Sequence, residues 1–342
     1  MFDLSIVIPT RNRKAKLIAC IESILAQPGL AGRSVEVIVS DAGSTDGSEA
    51  AARALAPADS GMSLVYLRSP VRLGPGENRN RGAGPARGRI IGFIDDDCRY
   101  AEGALARALA HFDQGCDILR PRVVIPNKED ISLFSHQPAF KDFSRSSYGG
   151  VFFVRREVFE ACRGFSSAFY TQAGSVHLGE DSDFLFRCFE AGRRDRFDPE
   201  VVVSHPVYPG DWRRPFFDAA RVRVSLPFNR RWRAVFPKYG MNTRRLFGLV
   251  LNRESARIAL SFAFVFTVLL AAALLPLAPE PAAAAGLGAA AAYALLAASY
   301  LGLVRRIRPS ELALFSLELP LLAASYCFNF CWGLLLARRI RE

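Results

Sequence analysis

Three times within the first hundred residues a short apolar run breaks off on polar side chains. "LSIVIP" leads into Thr10 and Arg11, "VEVIVSD" ends on Asp41, and "RIIGFID" opens into Asp95, Asp96 and Asp97. β-branched runs of this length predict strands, and "LVYLRS" is a further one. Segments of helical character lie between them: Arg13 to Gln27, "EAAARAL" and Pro75 to Ala86. Strand and helix alternating at short intervals confine the chain to an α/β fold, with a mostly parallel central sheet covered by helices. Such sheets bind ligands beyond the carboxyl ends of their strands, which is where these polar groups fall.

A second set of elements follows residue 150. "GGVFFVRREVFEACRGF" reads as strand then helix. "GEDSDFLFRCFEAG" reads as an amphipathic helix with acids in its first turn, favourable to the helix dipole, and "EVVVSHPV" as a strand carrying His205. Beyond about residue 255 the composition turns to Ala, Leu, Phe and Gly, and this raises the hydrophobic share of the whole chain to 50%, high for a wholly soluble protein. Residues 256–277, 282–304 and 312–336 each approach the length of a bilayer crossing, the third interrupted by Glu318 and Pro320. The expected organisation is a catalytic domain over 1–210, an interfacial segment over 211–255 and an α-helical membrane region over 256–342.

The net charge of +11 is carried mainly by arginine. "DWRRPFFDAARVRVSLPFNRRWRAVF" mixes arginine with Trp and Phe, a combination that suits anionic headgroups. Membrane lipid is therefore the expected partner of this charge, and nucleic acid is not. The arginines also set a topology. Two crossings return "RRIR" to the inner side, whereas a third would carry the terminal "RRIRE" outside, against the positive-inside bias. The expectation is a multi-pass protein of the plasma (inner) membrane, with a cytoplasmic catalytic domain, two full spans, one irregular segment and a cytoplasmic C-terminus. The seven cysteines form no CxxC pair and no zinc spacing, which predicts reduced thiols.

Three adjacent carboxylates at the end of a buried strand repel unless water or a cation neutralises them. Alternation along an extended end sets Asp95 and Asp97 on one side and Asp96 on the other. Two carboxylates on one side make a hard-cation site for Mg²⁺ or Mn²⁺, which also takes a substrate phosphate. "DAGSTDGS" gives a ligand access to backbone, with Asp46 placed to cap the next helix. "LGPGENRNRG" fits neither the dinucleotide nor the P-loop spacing and offers Arg79 and Arg81 to phosphates or to structural acids. In "GEDSD" one acid suffices as a cap, so Glu180, Asp181 and Asp183 leave a carboxylate for general-base work on a hydroxyl. His205, a lone histidine, suits either packing or a metal.

In this order, "SIVIPTRNR", "VSDAGSTDGS", "GENRNRG", "FIDDDC", "GGVFFVRREVFEACRGF", "GEDSDFLFRC" and "VVVSHPV" resemble the inverting family-2 glycosyltransferases of the GT-A fold, over about residues 3–210. The resemblance implies a metal-dependent transferase and a nucleotide-diphosphate-sugar donor. Pro9, Thr10, Arg11 and Asp41 would hold the nucleotide, Asp41 at the base edge. Asp95 and Asp97 would be the DxD pair at ribose, diphosphate and metal, with Asp96 counted on the donor side and His205 as a further ligand. Asp181 would be the catalytic base, with Glu180 beside it, and Arg79 would face the donor phosphates or support the acids. Two departures stand out. Ala42 follows Asp41 where members often carry a second acid, and Phe228 in "FNRRW" replaces the glutamine of processive members. Transfer of one sugar to a lipid-linked or glycan acceptor, in surface polysaccharide or glycolipid synthesis, is thus expected. The alternatives are a processive synthase or a non-catalytic membrane scaffold that retains a nucleotide-binding domain.

Overall fold

The computed structural model describes residues 2–57, 61–126, 150–166, 180–206 and 253–301, with scattered positions between 313 and 331. The chain divides into two compact units, one of residues 1–127 and 141–206, the other of 128–140 and 207–342.

The first unit is built on an eight-stranded sheet. In chain order its elements are β1 (Phe2–Thr10), α1 (Lys14–Leu25), β2 (Val35–Asp41), α2 (Ser48–Arg53), β3 (Met62–Arg68), α3 (Pro75–Ala83) and β4 (Gly88–Phe93). Then come β5 (Arg99–Tyr100), α4 (Ala104–Asp113), β6 (Ile118–Val124), β7 (Phe152–Arg155), α5 (Arg156–Ala161), α6 (Glu180–Glu190) and β8 (Asp195–Ser204). The strand order is β3-β2-β1-β4-β7-β6-β8-β5. β1, β2, β3 and β4 pair in parallel, and β7 is antiparallel to both β4 and β6. β8 is parallel to β6, and β5 is antiparallel to β8. All strands but β5 and β7 therefore run the same way, and the carboxyl ends of β1, β2, β4 and β8 share one edge.

The two-residue period of β1 divides the core. Leu4, Ile6 and Ile8 face a cluster with Leu17, Ile21 and Ile24 of α1 and Leu105, Leu109 and Phe112 of α4. Val7 points the other way, to a cluster with Ile91, Phe93, Phe152, Phe159, Phe165 and Phe184. The rings of this second cluster interlock, Phe152 on Phe184 at 5.6 Å and Phe93 edge-on to Phe165 at 4.9 Å between centroids. It underlies α5 and also α3 and α6, which carry Arg79 and the pair Glu180 and Asp181. Gly82 sets the depth of α3: a Cβ there would lie 2.5 Å from Val7 Cγ1, so only glycine lets this helix settle onto β1.

The second unit contains α7 (Arg253–Leu274) and α8 (Pro279–Leu301), packed along each other with Phe264 and Tyr293 in contact at 5.8 Å. Gly288 meets Thr267, where a Cβ would be 3.5 Å from Thr267 Cγ2, a small-residue approach of the kind used between helices in lipid. Among the described residues one stretch, Pro279–Ala298, is long and apolar enough to cross a membrane, with a mean hydropathy of 1.5. Ala259–Leu274 is apolar but shorter, spanning about 24 Å at the α-helical rise against roughly 30 Å of hydrocarbon. The charges of Arg253, Glu254 and Arg257 shorten its apolar run. The expected multi-pass arrangement is therefore not supported. The described positions of the expected third segment, Pro320 among them, are helical, whereas Glu318 lies outside the described residues. So do residues 211–252 of the interfacial segment, including Phe228, Arg231 and Trp232.

Candidate functional site

The three aspartates follow β4 directly, but not as an extended end. Cys98 N donates to Asp95 O at 3.0 Å, closing a turn over Asp95–Cys98. Alternation does not apply to a turn, so the expected pairing of Asp95 with Asp97 on one side is replaced by another. Asp96 and Asp97 share Arg13, whose Nη1 donates to Asp96 Oδ1 and Asp97 Oδ2, both at 3.0 Å. Asp95 is turned to Arg79, which donates from Nη2 to its Oδ1 at 2.6 Å. Lys16 Nζ stands 3.9 Å from Asp97 Oδ2. The protein's own cations thus offset the repulsion that the sequence poses. Thr10, at the carboxyl end of β1, donates from Oγ1 to Asp96 Oδ2 at 2.7 Å. Burial pushes the Asp96 carboxyl up to about 7, with Arg13 opposing and Asp97 adding to the rise.

β5 places this turn against the end of β8, because Arg99 pairs with Ser204. His205, anchored by its N–H to Val124 O at 2.8 Å, thereby comes to Asp97, with Nε2 3.6 Å from Oδ1. Side-chain donor atoms of Asp97, Cys98 and His205 lie within 4.8 Å of one another, and all three residues are buried. Carboxylate oxygen and imidazole nitrogen suit a first-row divalent cation such as Mn²⁺. Burial, then Asp95, raises the Cys98 thiol well above its ordinary range, so it stays protonated and is no hard-cation ligand. Asp95 is outside this group of three.

Glu180 and Asp181 open α6. Arg79 Nη1 donates to Glu180 Oε1 at 2.8 Å, so one buried guanidinium ties the start of α6 to Asp95. Burial works against the Arg79 charge, but Asp95 and Glu180 outweigh it and hold its pKa above the ordinary value. Burial pushes Glu180 up to about 7, with Asp181 adding to the rise and Arg79 opposing it. Asp183 accepts from Arg187 Nε at 3.0 Å, and the other nitrogens of Arg187 reach Cys162 O and Gly164 O. Asp183 therefore serves the α5–α6 connection. Asp181 is partly exposed.

At β1 and β2 the picture is one of stitching. Asp41 is fully buried and accepts from Ser44 Oγ at 2.6 Å and from Ser44 N at 2.9 Å. Ser44 Oγ in turn accepts from Asn12 N at 2.8 Å, and Asn12 Oδ1 accepts from Thr45 N at 2.8 Å. Asn12 takes the left-handed conformation, φ 50°, which asparagine tolerates. Asp46 accepts from Ser48 N at the start of α2, as expected, and also from Lys14 N at the start of α1. Arg11 is exposed and Pro9 half-buried. Nothing in the sequence alone marks Arg13, Lys16, Asn12, Ser44 or Cys98 as part of this site. "RNR" carries no mark that tells Arg13 from Arg11; the left-handed Asn12 between them turns the two arginines to different surroundings.

The buried carboxylates and the histidine thus gather at the carboxyl edge of the strands, where α/β sheets bind their ligands. The chain belongs to glycosyl transferase family 2, which it matches over residues 5–195, and it is a glycosyltransferase. It is 28% identical over 211 residues to the GalNAc(5)-diNAcBac-PP-undecaprenol beta-1,3-glucosyltransferase of Campylobacter jejuni, covering 57% of this chain and 67% of that one. It is 28% identical over 239 residues to the pre-mycofactocin glycosyltransferase of Mycobacterium tuberculosis, covering 66% of this chain but 48% of the relative. The succinoglycan biosynthesis protein ExoU of Rhizobium meliloti is 29% identical over 210 residues, 56% of this chain and 58% of its own. The chain thus spans between about half and two thirds of these curated relatives. Among solved structures, the mannosyltransferase PcManGT of Pyrobaculum calidifontis, in complex with GDP-Man and Mn²⁺, superposes with a TM-score of 0.53 at 19% identity. That match covers 99% of this chain and 88% of that one, and it shows the GT-A fold.

Proposed function

We propose that this enzyme moves one sugar from a nucleotide-diphosphate-sugar to a hydroxyl of a lipid-linked or glycan acceptor, inverting the anomeric carbon. The observation that carries the reading is the buried ion-pair chain Glu180–Arg79–Asp95. It fixes the acids that open α6 to the turn that would receive the donor, with contacts of 2.8 and 2.6 Å. Asp97 and His205 would hold Mn²⁺ or Mg²⁺, the imidazole favouring Mn²⁺. When bound, that ion supplies Lewis-acid stabilisation of the departing nucleoside diphosphate. Pro9, Thr10, Arg11 and the Asp41 turn would meet the nucleotide, with Asp95 and Asp96 on the donor side of the site. Asp181 takes the proton from the acceptor hydroxyl as its oxygen attacks, and Glu180, held by Arg79, keeps that end of α6 in place. The Campylobacter relative is named for a diphosphate-linked undecaprenol acceptor and ExoU for succinoglycan, which supports an acceptor of one of these kinds. An apolar α8 fits attachment to the inner membrane with the catalytic unit on the cytoplasmic side.

The test is a panel of nucleotide-sugars with Mn²⁺, read by calorimetry and by release of nucleoside diphosphate. Asp181→Asn should keep donor affinity and lose about 10²–10⁴-fold in transfer. Normal transfer by Asp181→Asn, with loss in Glu180→Gln instead, would move the base to Glu180.

A further inference from the structure

The Asp96–Asp97 pair already has its own cations, Arg13 at 3.0 Å from both and Lys16 at 3.9 Å from Asp97, while Arg79 is divided between Asp95 and Glu180. A divalent ion entering this cluster alone adds two positive charges where none is missing. We propose that Arg13 is a displaceable counter-cation: it holds Asp96 and Asp97 while the site is free of metal, and moves onto the donor diphosphate when the metal enters. The proposal rests on the reading that Asp97 and His205 take the cation.

The two arginines of the cluster are built differently. The Arg79 side chain is 5% exposed, sits on α3, and would leave Glu180 and Asp95 without their shared partner if it moved. The Arg13 side chain is 35% exposed and precedes the first turn of α1 in a non-helical conformation, φ −137°. Its swing breaks no helix and opens no core. Its two acceptors are 4% and 5% exposed, so releasing them without a replacement cation would leave buried carboxylates uncompensated. Metal and release are therefore linked. Asp97 divides its oxygens in the same sense: Oδ1 faces His205, and Oδ2 faces Arg13 and Lys16. An ion that takes both oxygens must displace Arg13, and a guanidinium set free beside a diphosphate has a bidentate acceptor at hand. It follows that metal alone binds weakly and that a diphosphate and the metal reinforce each other.

The experiment measures Mn²⁺ binding to the full chain by electron paramagnetic resonance, with Mn²⁺ alone and with added inorganic pyrophosphate. The proteins are wild type, Arg13→Gln, Arg13→Lys and Asp97→Asn. Arg13→Gln should bind Mn²⁺ alone about tenfold more tightly, as removal of a unit charge a few ångströms from a divalent ion requires even in water-like screening. It should also lose most of the gain that pyrophosphate gives the wild type. Arg13→Lys, which keeps the charge, should stay near wild type for Mn²⁺ alone. Mn²⁺ binding by Arg13→Gln no tighter than wild type overturns the proposal, while loss of binding in Asp97→Asn leaves the metal assignment standing. Undiminished Mn²⁺ binding by Asp97→Asn removes the metal assignment itself, and the role of Arg13 with it.

Discussion

Replacing Arg79 with methionine keeps most of the apolar stem and removes the guanidinium that joins α3, α6 and the acidic turn. The consequence depends on pH in a direction the structure dictates. Glu180 in the folded chain titrates at about 7, against an ordinary value of 4.5, so folding takes up a proton between these values. A raised carboxyl pKa contributes stability that is complete below about 4.5 and is lost as the pH climbs through about 7. Arg79 opposes that rise, so without it Glu180 moves higher still. At about pH 8 the wild type holds Glu180 ionised against Arg79, whereas in the variant this carboxyl, with 7% side-chain exposure and its pKa raised further, is kept protonated against the solution pH. Between the wild-type value of about 7 and pH 8 this adds at most about 1.4 kcal/mol to the variant's deficit. Asp95, more exposed at 17%, keeps more of its hydration and adds less. At about pH 5 Glu180 is neutral in both proteins, and what remains is on the order of 1–2 kcal/mol for lost hydrogen bonds. For a unit of this size the melting temperature should fall by roughly 5–14 °C at the higher pH and by roughly 2–8 °C at the lower. Near-ultraviolet circular dichroism of the full chain, melted at several pH values between these limits, measures the difference. An equal deficit at both ends, or a larger one in acid, would refute the argument that Glu180 is the group in question.

Two further outcomes bear on packing and on the metal. Phe184→Ala opens the ring cluster beneath α6 and should destabilise the first unit by about 3–5 kcal/mol, measured by denaturant titration; a loss below about 1 kcal/mol would mean that the cluster closes over the gap. Chelation with EDTA should abolish transfer, and Mn²⁺ should restore it more fully than Mg²⁺; undiminished transfer in chelator would exclude the assignment to Asp97 and His205.

The parallel half of the sheet was legible because each strand is a clean β-branched run. β2 (Val35–Asp41) has the bounds that "VEVIVSD" implies, and α6 starts where the acids of "GEDSD" begin. β6 was not legible. It reads "ILRPRVV", with Pro121 where a ladder normally needs a donor, and the strand absorbs it at an irregularity in register between Pro121 and Arg122. β5 is too short for any period to show, yet its pairing with β8 is what brings His205 to Asp97. The aspartates were legible as a site but not as a geometry, since an extended end and a tight turn differ only in backbone angles that the letters "DDD" do not encode. The partners of Asp41 and Arg13 were hidden for a related reason: they depend on which way a loop folds back, and that is decided by hydrogen bonds across more than thirty residues of sequence.

Those bonds have an effect on how this enzyme can change. The loop after β1 and the loop after β2 hold each other through Asn12, Ser44, Thr45, Lys14 and Asp46. They form a single exchangeable cassette rather than two variable loops. Grafting either one alone from a relative breaks its partner's backbone contacts, whereas moving residues 10–16 together with 41–48 keeps the bonds between the two loops and leaves Thr10 and Arg13 to be matched to Asp96 and Asp97. Preference for one nucleotide over another, if it resides here, is inherited through paired substitutions at these two stretches. A library that varies one loop against a fixed other would lose these bonds in every member that changes Asn12, Ser44 or Asp46.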